Sequence, residues 1–562
     1  MTTSRTEVLI VGAGPSGLAL ALWLTRLGVG VRIIDRASGP GETSRAFAVQ
    51  ARTLELYDQI GLAETLLRRG RPLSAVSVHD DGQLLARIPF GEFGKALSPF
   101  PYILILLQDV HEKLLLAPLA AAGVQVERDT ELVSFEDDGG RIRARLLRGR
   151  DQEDICEATF LCGCDGVHSI LRELIGAEFE GGDYDGEFYV ADVEATGAMV
   201  DGDVHYALMG PELCRVFPLN GASRVRLIGK LPKRAFSQGY PITFEHIADD
   251  VAAATGLKIF MVEWFSTYRV YRRVASRFRK GRVFLLGDAS HAHSPAGSQG
   301  LNTGIGDAAN LAWKISAVLR DGADVSLLDT YEAERRAVAR TVVATTDLAF
   351  GLQIDPSPFM QAIRRTVARL TPGMIGVSLV QDALFRVVSQ LMVHYRKSPL
   401  SSRSRGPLHG GDRLPWIDAD STDNFAALRA LRWHVQVYGQ AGDPLKRACA
   451  ARGLPLHEFP WSMAVARPGF RQNAAYLVRP DGYLACVSRR QDIRPFEAIL
   501  NRYKLLPLNV DGRLRGGPCQ PSLAVPAPDP CRRVAGGKRL LRGFIDAVIE
   551  RRHKGREALR NA

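Results

Sequence analysis

The segment Val8–Leu24, VLIVGAGPSGLALALWL, determines the fold class that we predict for this chain. Its apolar start, Glu7–Val11, is typical of a buried parallel strand, and the Ala- and Leu-rich run Ser16–Leu27 predicts a helix. Between them, residues 12–17 form a Gly-x-Gly-x-x-Gly turn, and Val31–Ile34 predicts a second strand. Together these pieces predict the βαβ unit of a Rossmann-like α/β fold.

The glycine-rich turn has the chemistry of a dinucleotide site. Its glycines let the backbone approach a pyrophosphate, and the N-terminus of the helix offers unpaired N–H groups to the negative charge. Asp35 closes the second strand 18 residues after the last glycine, where a carboxylate can bind an adenosine ribose hydroxyl. The pattern leaves FAD and NAD(P) as alternatives. The residues expected at this site are Gly12, Gly14, Pro15, Ser16, Gly17, Asp35 and Arg36.

The remaining chain divides into regions of different texture. Between about 180 and 280, short apolar runs separated by Gly and Pro predict an antiparallel sheet inserted into the α/β frame. A polar, Pro- and Ser-rich linker, Ser398–Pro407, follows a mostly helical region. We therefore expect a discontinuous nucleotide-binding domain over 1–180 and 275–397, an inserted sheet over 181–274 with contributions from about 72–100, a small domain over 408–505, and a Pro-rich linker and basic tail over 506–562.

Composition excludes several classes of protein. The 562 residues are 46% hydrophobic and 24% charged, a globular balance that excludes disorder, collagen and a disulfide-stapled mini-protein. The net charge is +11, but residues 505–562 contain 12 Lys/Arg and five Asp/Glu, so most of it belongs to the tail. The eight cysteines form no CxxC, and apolar runs fall short of the roughly 18 residues a membrane helix needs. We expect a soluble, cytoplasmic protein.

Two further stretches follow the first turn in order. They are Leu161–Arg172, LCGCDGVHSILR, and Gly287–Lys314, GDASHAHSPAGSQGLNTGIGDAANLAWK. The three motifs together resemble those of the class A flavoprotein aromatic hydroxylases, the p-hydroxybenzoate hydroxylase superfamily, over about residues 5–395. The resemblance implies an FAD-binding domain with an inserted, mostly antiparallel substrate-binding sheet. NADPH or NADH is then a co-substrate bound on the surface of the FAD fold, because the chain carries no second Gly-x-Gly-x-x-Gly.

The resemblance also assigns residues to the flavin. Asp165 of the Asp-Gly motif connects flavin and NADPH handling, and Asp288 after Gly287 bonds the ribityl chain. His291 and His293 lack a third ligand with suitable spacing, so we predict no metal site. The other implied contacts are Arg45 near the flavin path, Gln108 at the ribityl region, Pro295 beside the isoalloxazine ring, and Gly300, Leu301 and Asn302 before a helix expected from Thr303. Arg45 and Pro295 are the flavin-proximal candidates, and no catalytic base is assigned.

The segment 408–505 resembles the thioredoxin-like appendage of larger members, such as phenol, hydroxyphenylpropionate and anthracycline hydroxylases. The matching pieces are Gly411–Pro415, GDRLP, and Leu477–Tyr483, LVRPDGY. A thiol-disulfide activity needs a paired, activated thiol, whereas Cys449 and Cys486 stand apart. We expect a structural or dimer-forming unit, with a homodimer as the corresponding partner.

The activity implied by the resemblance is that of a single-component, NAD(P)H- and O2-dependent monooxygenase. It would hydroxylate a phenolic or polycyclic aromatic substrate through a flavin C4a-hydroperoxide. Strand alternation places Arg215 and Phe217 on one face, with Tyr206 on the preceding strand, so these residues are the substrate candidates. Two alternatives remain open. One is a related flavoenzyme that performs epoxidation, Baeyer–Villiger oxidation or reduction of a polyketide-like substrate. The other is a binding protein whose basic tail holds nucleic acid or an anionic surface; nucleic acid is the minor possibility, and no membrane partner is expected.

Overall fold

The computed structural model describes most of the chain. The described residues are 2–41, 48–80, 82–90, 93–149, 151–207, 214–219, 221, 223–238, 241–294, 298–355, 357–375, 378–404, 406–419 and 422–505. Arg45, Pro295 and the tail 506–562, which the sequence analysis singled out, lie outside these residues. Within the described part, no helix is both long enough and apolar enough to cross a lipid bilayer.

Strands and helices alternate along much of the described chain. The strands are β1 (Thr2–Val11), β2 (Val31–Ile34), β3 (Ala48–Val49), β4 (Arg71–Pro72), β5 (Ala75–Asp80), β6 (Gln83–Pro89), β7 (Leu104–Ile105), β8 (Val126–Glu127), β9 (Thr130–Asp137), β10 (Ile142–Arg148), β11 (Gln152–Gly163), β12 (Phe179–Asp183), β13 (Phe188–Thr196), β14 (Val204–Ala207), β15 (Cys214–Pro218), β16 (Arg224–Lys230), β17 (Lys258–Tyr268), β18 (Tyr271–Ala275), β19 (Arg279–Lys280), β20 (Val283–Leu285), β21 (His291–Ala292), β22 (His434–Tyr438), β23 (Leu456–Phe459), β24 (Ala475–Val478) and β25 (Leu484–Ser488). The α-helices are α1 (Pro15–Arg26), α2 (Ala51–Gln59), α3 (Ala63–Arg69), α4 (Gln108–Ala121), α5 (Ile170–Leu174), α6 (Ala248–Thr255), α7 (Gln299–Arg320), α8 (Asp329–Ile354), α9 (Pro358–Ile375), α10 (Ser378–Val388), α11 (Asp443–Ala451), α12 (Met463–Ala466) and α13 (Arg494–Arg502).

A mixed sheet with a parallel middle forms the centre of the N-terminal domain, and the antiparallel strands β10 and β9 extend it from β11. Its order is β19-β20-β11-β1-β2-β8, and β1 runs parallel to both β2 and β11. The helix α1 is apolar on nearly every side because it packs between this sheet and the helices α4 and α7. It begins at Pro15, a residue favoured in the first helical turn because its missing N–H needs no partner there. The predicted βαβ unit is confirmed.

A seven-stranded sheet is inserted into this frame, in the order β17-β13-β16-β15-β14-β5-β6. Its pairs are antiparallel except for β14 with β5, so the expectation of a mostly antiparallel sheet is confirmed. Because strand side chains alternate, the sheet has two buried faces. The face that joins the core of the N-terminal domain includes Val190, Val204, Phe217 and Ile228, and the face under α6 includes Ala191, Val216 and Leu227.

The C-terminal unit has a four-stranded sheet in the order β23-β22-β24-β25. The parallel strands β22 and β23 flank α11, and the antiparallel hairpin β24–β25 precedes α13. This βαβ-ββα order is compatible with a thioredoxin-like unit. Cys449 and Cys486 are both buried, and burial raises the pKa of Cys449 to about 11. A thiol with so high a pKa is a poor nucleophile at neutral pH.

The start of α7 differs from our expectation. The helix begins at Gln299, not near Thr303, so Gly300, Leu301 and Asn302 lie in its first turn. Ser298 precedes it in the left-handed region, at a φ of 51°. Glycine is unfavourable in helix interiors, yet Gly300 and Gly304 both lie within α7. Burial of most of the helix overrides that propensity.

Buried neutral histidines make the fold sensitive to acid. Burial lowers the pKa values of His111, His293 and His434 to about 4, below the ordinary value of 6.5. As the pH falls below 6.5, the unfolded chain takes up these protons first, so each histidine lowers the free energy of unfolding. Between pH 7 and 5 the loss is about 2 kcal/mol per histidine.

We therefore expect urea unfolding of the full-length protein to show a marked loss of stability from pH 7 to pH 5. The His111→Gln variant should lose about 2 kcal/mol less over this interval. A matched His168→Gln variant, at an exposed position, should keep the native pH dependence. The same slope for His111→Gln as for the native chain contradicts this account.

Candidate active site

Three glycines of the turn at 12–17 have different surroundings. Gly12 has a φ of 101°, and a Cβ there would overlap the carbonyl oxygen of Cys164 at the end of β11. A Cβ on Gly17 would overlap the carbonyl oxygen of Gly12. Gly14 differs, because a Cβ there would meet no described residue within 4 Å apart from its chain neighbours. Gly12 and Gly17 therefore serve close packing, whereas Gly14 borders open space from which a pyrophosphate can approach the backbone.

Asp35 supports the turn from the end of β2. One carboxylate oxygen accepts a hydrogen bond from the backbone N–H of Ala13 at 2.6 Å, and the other accepts one from Ala37 at 2.8 Å. The side chain of Arg128 lies 3.8 Å away. Each carboxylate oxygen has a second lone pair, so a ribose hydroxyl can still donate to it. Arg36 lies exposed beside this group.

The first and third motifs meet at Ser16. A Cβ on Gly287 or on Gly304 would overlap the Oγ of Ser16, so the backbones of these two glycines lie close to the Ser16 side chain. Gly287 is buried at the end of β20, whereas the next residue, Asp288, is exposed. A carboxylate at the carboxyl edge of a parallel sheet lies where α/β proteins bind their ligands. The arrangement places Asp288 near the N-terminus of α1.

The Asp-Gly motif adds a second carboxylate. Asp165 accepts a hydrogen bond from the backbone N–H of Leu171 at 3.2 Å, and burial raises the pKa of its carboxyl. Among the described residues, its buried Oδ1 has no hydrogen-bond partner. Arg172 of the same motif donates to the carbonyl oxygens of Ala289 at 3.2 Å and Val167 at 2.8 Å. The second and third motifs are thereby joined.

Asn302 has a structural role that sequence reasoning did not predict. Its Oδ1 accepts hydrogen bonds from the backbone N–H of Gln50 at 2.9 Å and the hydroxyl of Thr53 at 2.7 Å. Its Nδ2 donates to the carbonyl oxygens of Ala48 at 3.0 Å and Ser298 at 2.8 Å. The side chain thus ties α7 to β3 and α2, so a contact with the cofactor through this residue involves its backbone.

The open space and the carboxylates fit an FAD molecule along the carboxyl edge of the parallel sheet. Gln108 lies at the first residue of α4, and its Nε2 donates to Glu112 at 2.9 Å. Gly300 lies against the imidazole of His293. The first turn of α7 exposes no carboxylate of its own, and its N–H groups favour negative charge nearby.

Asp307 is a site residue that we missed in the sequence. This fully buried carboxylate accepts hydrogen bonds from the backbone N–H of Gly287 at 3.0 Å and from His291 at 2.9 Å. It also accepts one from Arg335 at 2.6 Å. Burial alone would raise the pKa of Asp307, but Arg335 and His291 outweigh burial and lower it. The available signal was an acidic residue within the small and apolar run GIGDAANLA.

The structure brings the substrate candidates together on the FAD-facing side of the inserted sheet. Tyr206 and Arg215 are paired across β14 and β15, with the guanidinium carbon 5.4 Å from the centre of the tyrosine ring. Phe217 lies on the same face and is 5% exposed. The ring of Phe350, from α8, lies 5.8 Å from the same guanidinium carbon. Sequence reasoning missed Phe350, because it is distant in the chain.

Comparisons with known proteins identify the family of this chain. The model of the family described as FAD binding domain matches residues 5–346. The chain is 34% identical to 6-methylpretetramide 4-monooxygenase of Streptomyces rimosus, over 94% of this chain and 98% of that protein. It is 33% identical to pentachlorophenol 4-monooxygenase of Sphingobium chlorophenolicum, over 73% of this chain and 75% of that protein. The solved structure of OxyS anhydrotetracycline hydroxylase from Streptomyces rimosus matches with a TM-score of 0.71 and 29% identity, covering 89% of this chain and 99% of that one.

The fold and these comparisons together identify an FAD-dependent monooxygenase. The chain belongs to the class A flavin-dependent aromatic hydroxylase superfamily. The predictions of an enzyme and of FAD as its cofactor are confirmed.

Proposed function

We propose that this enzyme consumes NAD(P)H and O2 to hydroxylate a phenolic or polycyclic aromatic substrate. The observation that carries the proposal is the aromatic and cationic face around Arg215, which looks from the inserted sheet toward the FAD domain. The names of two relatives, the 6-methylpretetramide and anhydrotetracycline enzymes, support a polycyclic polyketide as the substrate class. When bound, FAD supplies the redox chemistry that moves electrons from NAD(P)H to O2.

The chain's own residues hold the cofactor and the substrate in this proposal. The turn at 12–17 and Asp35 hold the ADP half of FAD, and Asp165 and Asp288 hold the flavin half. Tyr206 and Phe217 stack against the aromatic substrate, and Arg215 pairs with its phenolate charge. Because the sheet packs on the FAD domain, the site excludes water and the charge pair is stronger there than in solution. The reducing cytoplasm is the compartment that suits the scattered cysteines.

The Arg215→Met variant tests the substrate face. We expect its KM for an anionic phenolic substrate to rise at least tenfold, or about 1.4 kcal/mol, since the cation that pairs with the phenolate is lost. The affinity for FAD should stay within twofold of the native value. A matched Arg224→Met variant removes an arginine of the same sheet that instead pairs with Glu263 near the surface, and it should keep the native KM. An unchanged KM in Arg215→Met removes this residue from the proposal.

The reaction itself is tested with the FAD-loaded full chain. Phenols and tetracyclic polyphenols should accelerate NADPH or NADH oxidation, and the hydroxylated product should accumulate in step with the cofactor consumed. Release of hydrogen peroxide alone from every aromatic compound tried contradicts the proposal. Product analysis also separates the alternatives, because an epoxide, a lactone or a reduced ring differs from a phenol in mass and spectrum.

A further inference from the structure

The turn Arg479–Tyr483 connects β24 to β25 in the C-terminal unit and packs against α7 and α8 of the FAD domain. We call this turn the hairpin Arg479–Tyr483. Arg479 is fully buried, and its guanidinium donates to both carboxylate oxygens of Glu334 in α8, at 2.6 and 2.9 Å. Asp481 accepts hydrogen bonds from Trp313 at 3.1 Å and Asn310 at 3.3 Å, both in α7. Charged groups are buried only when they are paired, so these contacts hold the hairpin in one position.

Arg335, the neighbour of Glu334 in α8, connects this hairpin to the Gly-Asp segment 287–291. Its three nitrogens donate to Asp307 at 2.6 Å, to the hydroxyl of Tyr395 at 2.8 Å and to the carbonyl oxygen of Thr303 at 2.9 Å. The ring of Tyr395 lies 4.3 Å from the ring of Tyr483, between centroids. The planar guanidinium has a fixed fork, so the hydroxyl of Tyr395 determines the direction in which Arg335 presents its other two donors.

Asp307 links Arg335 to the Gly-Asp segment 287–291. Its carboxylate holds the backbone N–H of Gly287 and the ring of His291, which flank Asp288. A continuous set of buried contacts therefore runs from the C-terminal hairpin through Tyr395, Arg335 and Asp307 to the Gly-Asp segment. Nothing in the hydroxylation chemistry requires the C-terminal unit, which lacks paired thiols.

We propose that the hairpin Arg479–Tyr483 positions the FAD-binding segment 287–291, acting through Tyr395, Arg335 and Asp307. The C-terminal unit is then a brace for the cofactor site, and Tyr395 and Arg335 are positioning residues. The inference rests on the proposed contact of the Gly-Asp segment with FAD. It is independent of the substrate, so its test measures FAD binding and needs no turnover.

The test compares two tyrosines that each lose one buried hydroxyl. Tyr395→Phe removes one of the three acceptors of Arg335. Tyr438→Phe removes a hydroxyl whose hydrogen-bond partners among the described residues, Gln436 and Asn424, both lie within the C-terminal unit. Both full-length variants should show a similar drop in melting temperature. We expect the FAD dissociation constant, from fluorescence titration of the apoprotein, to rise at least tenfold in Tyr395→Phe and less than twofold in Tyr438→Phe. Equal FAD affinities in the two variants overturn the proposal.

A double-mutant cycle with Arg335→Lys tests the route. Lysine keeps the positive charge but lacks the planar, fixed set of N–H donors of the guanidinium, so the hydroxyl of Tyr395 no longer has a positioned partner. In the Arg335→Lys background, adding Tyr395→Phe should change the FAD dissociation constant by less than twofold. Independent, multiplying effects of the two substitutions contradict a route through Arg335. If Tyr395→Phe does not fold, Tyr483→Leu replaces it, because it removes the ring contact through which the hairpin holds Tyr395. The FAD dissociation constant should again rise at least tenfold, and a value within twofold of the native one overturns the proposal.

Discussion

The Gly14→Ala variant is expected to lose tight FAD binding while its apoprotein stays folded. A Cβ at this position meets no described residue within 4 Å apart from its chain neighbours, so the substitution introduces no clash within the described fold. It does fill the space that we assign to the pyrophosphate. We expect the FAD dissociation constant to rise about a hundredfold or more, which is about 2.7 kcal/mol. Fluorescence titration of the apoprotein measures the affinity, and a thermal melt without FAD measures the fold.

Two other glycines serve as controls for this substitution. Gly17→Ala should destabilise the apoprotein as well as abolish binding, because its Cβ overlaps the carbonyl oxygen of Gly12. Gly351→Ala adds the same methyl group within α8, where nothing lies within 4 Å, and should leave both measurements unchanged. Native FAD affinity in Gly14→Ala shows that the pyrophosphate does not lie at this turn.

The Glu334→Ala variant is expected to lose about 3–5 kcal/mol of stability, the cost of leaving a buried charge without its partner. Glu334 is fully buried, and it accepts hydrogen bonds from Arg479 and, at 2.8 Å, from the Nζ of Lys314. Burial lowers the pKa of Lys314 to about 8 even with this carboxylate present. Without Glu334, Lys314 can become neutral by losing its proton, whereas Arg479 stays charged and keeps only Asp481, at 2.6 Å, as a carboxylate partner. Urea unfolding of the FAD-loaded chain measures the loss.

Glu64→Ala is the matched control for Glu334→Ala. Glu64 pairs with Arg68 one helical turn away at 2.9 Å, and both side chains are more than 60% exposed, at 65% and 62%. Exposed pairs of this kind contribute about 0.3–0.5 kcal/mol, so the control should differ little from the native chain. Similar losses in the two variants contradict the view that the buried pairs anchor the C-terminal unit.

Local patterns in the sequence predicted the parts of the fold that depend on neighbours in the chain. The βαβ unit follows from the apolar run of β1, the glycines and the Ala- and Leu-rich α1. Sequence reasoning could not show that Gly12 packs against Cys164, because that contact joins residues far apart in the chain. Asn302 shows the same difficulty in another form. Its place beside the flavin motif was visible, but its hydrogen bonds to α2 depend on tertiary packing.

The buried ion pairs are the largest part of the structure that the sequence analysis did not predict. Arg479 and Glu334 lie 145 residues apart, and each looks like an ordinary surface residue in the sequence. Only the fold shows that both are buried and that they join two parts of the chain. The cofactor motifs were visible because their chemistry is concentrated in short segments. The buried contacts that support these motifs could not be predicted, because they join single residues on α7, α8 and the hairpin Arg479–Tyr483.

The most direct test of the hydroxylase function follows the oxygen atom. The FAD-loaded chain is incubated with NADPH, isotope-labelled O2 and a tetracyclic polyphenol, and the product is analysed by mass spectrometry. We predict a product that carries one labelled oxygen atom on the ring, with one NADPH consumed for each product formed. A product whose new oxygen comes from water, or a reduced product without label, contradicts this function.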